Sequence, residues 1–251
     1  MTNEEKQRFA FGENWQAFLR ILSDEHIGEA EKSLRKFLGT NDLNQKRFLD
    51  IGSGSGLHSL AARKMGATVQ AFDYDLQSVA CTDELKRRYF PDDPNWAVQK
   101  GSILDGNFIS GLGQFDVCYA WGVLHHTGAL WQALYNAQLP LRQGGLLFVA
   151  IYNDQGLIST LWKIIKRFYS SGWLGRATMS LIFYPIFFLS GFILDLVHVR
   201  NPARRYREHK KYRGMSLVHD WRDWLGGYPF ALTGHGFGNN QFLFQRIRTS
   251  P

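Results

Sequence analysis

The chain has 251 residues, of which 45% are hydrophobic and 20% charged, which is ordinary globular usage with room for one full α/β domain plus insertions. Its two cysteines, Cys81 and Cys118, are too few for a disulfide framework and read as unpaired core thiols in a reducing cytosol. The net charge of +7 is local: residues 154–213 carry eleven basic and three acidic side chains, while the remaining eighteen basic and nineteen acidic residues nearly cancel, so one segment alone is suited to meet phosphate, of lipid or of nucleic acid.

In chain order, residues 1–8 are polar and charged and lack the apolar run of a signal peptide. Trp15, Phe18, Leu19 and Leu22 then fall at helical spacing, and Leu34, Phe37 and Leu38 continue an apolar face after a break expected near Gly28. From residue 47 the pattern alternates. Strands are expected over 48–51, 68–72, 96–99, 115–121 and 146–152, and helices over 58–65, 77–89 and 130–141. The strands are apolar without polar alternation, as strands buried on both faces are. Repeated β-α units with short connections predict an α/β, Rossmann-like fold: a mostly parallel sheet with helices on both faces.

After residue 153 this pattern stops. Residues 157–169 read as an amphipathic helix. Residues 179–199 are strongly apolar, with Pro185 and Gly191 inside and Asp195 near the end. A spanning helix needs about 20 apolar residues; this run is shorter and interrupted, so a span is not expected. Two readings remain: a buried helix covering the active site, or a segment dipping into the bilayer surface through 179–213, its flanking Lys and Arg on anionic headgroups. Residues 200–213 read as a charged linker, and 240–247 as a final strand. The organisation expected is an N-terminal helical cap (1–45), a cofactor-binding core (46–153), an apolar and basic helical insert (154–235) and a final strand completing the core sheet (236–251).

The sharpest local signal is Asp50-Ile51-Gly52-Ser53-Gly54-Ser55-Gly56-Leu57, at a strand end and opening a helix. Glycines let the backbone turn tightly and approach a ligand, and the following helix offers N–H groups to an anionic moiety. Asp73 ends the next strand, where an acid can bond both ribose hydroxyls. The loop is compatible with a nicotinamide dinucleotide or a purely structural turn. Asp50 favours S-adenosylmethionine, which brings no pyrophosphate and carries an ammonium group that an acid can hold.

With these residues the sequence resembles the class I S-adenosylmethionine-dependent methyltransferases, over about 47–153 and the last strand. Phe48 to Gly56 matches their first motif and Ala71-Phe72-Asp73 their ribose-binding acid. Gly101-Ser102-Ile103-Leu104-Asp105 is similar to the adenine-flanking loop, Phe115-Asp116-Val117-Cys118-Tyr119 to the fourth-strand motif, and Leu141-Arg142-Gln143-Gly144-Gly145-Leu146-Leu147 to the turn before the fifth strand. The resemblance implies that Gly52, Gly54 and Asp73 bind cofactor and that Tyr74, Ser102 and Ile103 contact adenine, with loop and core packing as the alternative for Ser102 and Ile103. Asp50, Ser53, Gly56 and Trp121 complete the expected cofactor-binding set.

Methyl transfer asks the protein to align an acceptor, exclude water and remove a proton. The candidates are His125 and His126 in Trp121-Gly122-Val123-Leu124-His125-His126-Thr127, which resembles a segment of methyltransferases acting on small molecules and quinones. One of them serves as base, or one packs or bonds the cofactor. No ligand-spaced cluster suggests a metal. Ala120-Trp121-Gly122-Val123 stands where methylases of nucleic-acid bases resemble one another in Asn/Asp-Pro-Pro-Tyr, which speaks against a nucleic-acid substrate. Phe9, Phe11, Trp15, His219, Trp221, Trp224, Tyr228 and Phe230 either line an aromatic acceptor pocket or are ordinary packing. Members of the family resemble one another in having seven strands, yet no sixth strand is legible before Phe242, so a shortened sheet edge is expected, exposed or covered by the insert.

The expected function is therefore methyl transfer from S-adenosylmethionine, directed to oxygen, on a small or lipid-like acceptor. A methyltransferase of RNA or protein, or a non-catalytic cofactor-binding protein of the same fold, are the alternatives. The expected location is cytoplasmic, peripheral at the inner face of the membrane if the insert meets lipid.

Overall fold

The computed structural model describes residues 12–152, 154, 156–198, 201, 217–228, 231 and 242–248. In chain order its elements are α1 (Gly12–Leu19), α2 (Asp24–Leu38), β1 (Arg47–Ile51), α3 (Leu57–Lys64), β2 (Thr68–Asp73), α4 (Leu76–Tyr89), β3 (Trp96–Lys100), α5 (Gly106–Gly111), β4 (Phe115–Trp121), a 3-10 turn (Leu124–His126), α6 (Leu130–Gln138), β5 (Leu141–Tyr152), α7 (Leu157–Tyr169), α8 (Trp173–Val197), α9 (Leu217–Gly226) and β6 (Phe242–Arg248). The chain divides into two compact units, one comprising Ala10–Gln155 with Ala231–Pro251 and the other containing Gly156–Phe230.

In the first unit the strands stand in the order β3-β2-β1-β4-β5-β6. The first four pairings are parallel, and β6 closes the series antiparallel to β5. Apolar strands without alternation give this result because both sheet faces are covered: Phe48, Leu49, Ile51, Cys118, Ala120, Leu147 and Val149 are all buried. Among the described residues β6 is the last strand on this side of the sheet; residues 229–230 and 232–241, where a sixth strand was not legible, lie outside the described residues. Both cysteines are free and buried.

Several boundaries differ from expectation, each for a local reason. No break occurs at Gly28: α2 runs through it, because Ile27, Ala30, Leu34 and Leu38 form one buried stripe that outweighs the roughly 1 kcal/mol cost of an interior glycine. The chain breaks instead before Ser23, whose reciprocal capping with His26 starts α2. Helix α6 stops at Gln138 rather than 141, since Pro140 disfavours helix in the residue before it. Strand β5 starts at Leu141, with a register irregularity opposite Phe115 and Val117.

The second unit is helical. Lys166, only 1% exposed, donates to the Trp224 carbonyl and lies 4.6 Å from the centre of the Trp224 ring. Trp162, Phe183, Phe187, Tyr184 and Trp221 pack around the same core of Ile165, Tyr169 and Leu225. Here the expected interruption at Pro185 is overturned: α8 is one helix of 25 residues with Pro185 inside it. The lost backbone bond and ring clash of an interior proline do not end it. Residues 202–213 of the expected linker, and Asn240 and Gln241 of the expected final strand, lie outside the described residues.

Candidate active site

The carboxyl ends of parallel strands in an open α/β sheet form the crevice where ligands bind. β1 ends there in the glycine loop, β2 in Asp73, β4 leads into the histidine turn, and β5 ends in Tyr152. The sheet thus delivers the cofactor loop and the histidine pair to one edge.

The loop is built by close approach. Gly52 (φ +71°) and Gly54 (φ +56°) have left-handed backbones that only glycine adopts readily. A Cβ at Gly52 would stand 2.5 Å from Val123 Cγ1, and one at Gly54 would stand 3.0 Å from the Trp15 indole. The Gly52 and Ser53 N–H groups donate to the Phe72 carbonyl at 2.9 and 3.1 Å, and the Gly56 N–H to the Ser53 carbonyl at 2.8 Å. Ser53 Oγ pairs with Thr82 Oγ1 at 2.8 Å. The expectation that the loop presents its N–H groups to an anion is thereby narrowed, because these three are satisfied inside the protein. A pyrophosphate would find few donors here.

Asp73 accepts from the Gly54 N–H at 3.0 Å on Oδ2 and from the Asp75 N–H at 2.9 Å on Oδ1. An ionised carboxylate can accept several hydrogen bonds on its two oxygens. Tyr74 beside it has an exposed ring, 6.0 Å from Lys100 Nζ. Asp50 is buried beneath the loop, accepting from Ser59 Oγ at 2.5 Å. Burial pushes its carboxyl up to about 7 against the opposing Ser59 bond, and the Asp73 charge adds to the rise. A cation placed at this spot would relieve that burden. A two-oxygen acceptor at Asp73 and a buried acid at Asp50 fit a ligand with ribose hydroxyls and an ammonium group.

The adenine-side expectations divide. Ser102 bonds within its own loop, accepting from the Leu104 N–H at 3.2 Å. Ile103 is a core residue, buried among Ile51, Phe72 and Ile109, and its carbonyl accepts from Asn136 Nδ2 at 2.7 Å. Packing thus accounts for the Ile103 side chain. Trp121 stacks on Phe37 at 5.0 Å and on Phe148 at 5.9 Å, in an aromatic layer with Tyr119 and His58. Ring stacking links the members of that layer. Burial there pushes the His58 imidazole down to about 4.

His125 and His126 fall in the 3-10 turn, their rings 4.2 Å apart. His125 is 1% exposed and His126 half-buried. Tyr152 lies 4.3 Å from the His125 ring and 6.2 Å from the His126 ring. The sequence singled out the histidines and missed Tyr152, which reads as one more apolar residue of β5. Its signal is positional, an aromatic phenol at the carboxyl end of the strand beside β4. Of the expected aromatic pocket residues, Trp15 lies on the glycine loop, Trp221 and Trp224 pack inside the helical unit, and Phe9, Phe11 and Phe230 lie outside the described residues. Among the described residues no group of three or more His, Cys, Asp or Glu is placed to hold a metal.

Comparison with known proteins agrees with this geometry. Residues 49–147 match a family model described as a methyltransferase domain. The matched stretch includes the glycine loop, Asp73 and the histidine turn. The chain is similar to proteins named ubiquinone biosynthesis O-methyltransferase from Parvibaculum lavamentivorans (28% identical over 64% of this chain and 59% of that protein) and from Paramagnetospirillum magneticum (28%, over 64% and 60%). It therefore spans about three-fifths of the length of these curated relatives. Among solved structures it is similar to the YcgJ protein of Bacillus subtilis, 17% identical, covering 58% of this chain and 59% of that one, with a TM-score of 0.46.

Proposed function

We propose that the chain is an S-adenosylmethionine-dependent O-methyltransferase acting on a small, lipid-like acceptor. The observation that carries this reading is the meeting, at one sheet edge, of the methyltransferase glycine loop with the His125–His126–Tyr152 cluster. The names of the similar proteins support oxygen as the target. S-adenosylmethionine supplies a sulfonium methyl, whose transfer breaks the S–C bond, forms an O–C bond and releases S-adenosylhomocysteine and the acceptor's hydroxyl proton. Asp73 takes the ribose hydroxyls and Asp50 the ammonium. His126, the more accessible imidazole, accepts the proton, and His125 and Tyr152 hold it in place. The test is formation of S-adenosylhomocysteine by the whole chain with a panel of lipophilic phenols and hydroquinones. Methylated oxygen is the expected product; transfer to nitrogen alone, or turnover with none of them, overturns the reading.

A lipid-like acceptor also suits the helical unit, which we propose meets the inner face of the membrane. Its polarity is reversed: Ser159, Lys166 and Asp195 are buried, while Leu157 (89% exposed), Leu161, Ile164, Leu181 (78%), Ile186 and Val197 (71%) face outward. Helix α8 is long and apolar enough to cross a membrane by length and composition, with only 11% of its most apolar window buried. The basic excess of 154–213 complements anionic headgroups. The protein is expected to float with vesicles containing phosphatidylglycerol, and less with pure phosphatidylcholine. Leu181→Glu with Ile186→Glu should weaken that association without unfolding the chain. Equal indifference to both vesicles speaks against membrane contact.

A further inference from the structure

The histidine turn is tied to a residue more than a hundred positions further along the chain. Inside the turn, the Val123 carbonyl accepts from the His126 N–H at 2.9 Å, and the Leu124 carbonyl accepts from the Thr127 hydroxyl at 2.7 Å. Gly128 then takes a left-handed backbone (φ +84°), which turns the chain out of the helical path. The His125 carbonyl accepts from outside the turn, from the Ala231 N–H at 2.9 Å. Ala231 also packs against the core cluster that contains Leu124 and Leu130, the apolar residues on either side of the histidine pair. Backbone and side chain both hold it to the core.

Tyr152 is braced from the same end of the chain. It pairs with Phe242, the first residue of β6, in the antiparallel register with β5. The buried His125 ring in turn touches both its neighbours, His126 at 4.2 Å and Tyr152 at 4.3 Å. Close packing passes displacement from one group to the next, so a shift of the His125 backbone reaches the whole cluster. Alanine brings no side chain that could react, and its N–H is engaged by the His125 carbonyl. What it can contribute is placement.

We propose that Ala231 is a positioning residue for methyl transfer: its backbone N–H fixes the His125 carbonyl, and through it the His125–His126–Tyr152 cluster, where His126 can take the acceptor's proton. Proton removal depends steeply on the placement of the base. The proposal rests on His126 being that base.

The test removes the N–H alone. Replacing Ala231 with lactic acid turns its amide into an ester and keeps the methyl group, and Ala231→Pro deletes the same donor by another route. Circular dichroism and thermal melting establish that each variant is folded. With a phenol that the wild type methylates, the ester is expected to lower kcat by roughly five- to tenfold, the worth of one neutral hydrogen bond. KM and S-adenosylhomocysteine affinity should stay as they are. Ala231→Ser, which keeps the N–H, should recover most of the rate. In a His126→Ala background the ester should cost almost nothing further, because the residue through which it acts has gone. The ring NMR signals of His125 and His126 should shift in the ester. A folded ester with wild-type kcat, or the same loss with His126 present and absent, overturns the positioning and leaves methyl transfer intact. A fall in cofactor affinity in place of kcat overturns it too. Wild type that methylates no acceptor, or His126→Ala that matches wild type, overturns the reading on which the proposal rests.

Discussion

The Gly54 N–H and the Asp73 carboxylate meet at 3.0 Å across the gap between the first and second strands. One acid at the end of β2 thus braces the glycine loop. Removing it should act twice, by deleting a charge-assisted acceptor for ribose and by loosening the loop. Hydrogen bonds to charged groups are worth about 1.5–3 kcal/mol each, so two of them predict that Asp73→Ala weakens S-adenosylhomocysteine by at least about a hundredfold in calorimetry. Asp73→Asn, which can still accept from Gly54, should lose less. A variant that binds like wild type would remove Asp73 from the cofactor site.

Much of this was legible in the sequence because the signals are local. β4 runs over Phe115–Trp121 and α7 over Leu157–Tyr169, as periodicity alone set them, and the loop glycines have the backbone that their motif requires. What escaped was decided by tertiary contact. Gly28 reads as a stop until Leu34 and Leu38 are seen buried on the same stripe. The stacking of Phe37 on Trp121, more than eighty positions later, leaves no trace in the local pattern. Ile103 reads as an adenine contact by motif position, yet its side chain points to core neighbours supplied by β1 and β2. Spacing along the chain carries no record of such partners.

Asp50 sets a pH dependence whose sign follows from its raised carboxyl. The unfolded chain releases this proton near pH 4 and the folded chain holds it to about 7. Between those values the native state binds more protons, so Asp50 makes stability fall as pH rises through about 4 to 7. Asp50→Asn, which keeps the bond to Ser59, should flatten that part of the melting-temperature profile and raise stability at pH 8. Ligand affinity should move the other way in wild type. An ammonium group needs the charged carboxylate, so S-adenosylhomocysteine is expected to bind more weakly below pH 7 than at pH 8. An affinity independent of pH across this range counts against the Asp50–ammonium contact.

The aromatic layer on the sheet should matter to stability rather than to chemistry. Phe148 is buried, stacked on Phe37 at 5.0 Å, on Tyr119 at 5.5 Å and on Trp121 at 5.9 Å. Phe-to-Ala changes at such sites cost about 3–5 kcal/mol through lost transfer energy and a residual cavity. Phe148→Ala should therefore lower the denaturation midpoint strongly in urea. At temperatures where it remains folded it should retain cofactor affinity. Lost affinity in the folded variant would tie this layer to the cofactor site.

The histidine turn separates chemistry from binding. His126 is half-buried beside Tyr152, in the 3-10 turn that follows β4. If it takes the acceptor's proton, His126→Ala should lower kcat by about 10²–10⁴-fold and leave S-adenosylhomocysteine affinity unchanged. The loss should depend on the acceptor. A more acidic hydroxyl already parts with its proton in water and needs less help, so the ratio of wild-type to variant rates should shrink along a series of phenols of falling pKa. A ratio that stays constant along that series would mean His126 positions the acceptor without accepting its proton. Tyr152→Phe provides the comparison, because it keeps the ring against His125 and removes only the hydroxyl; a modest change in KM with kcat preserved is the expected result.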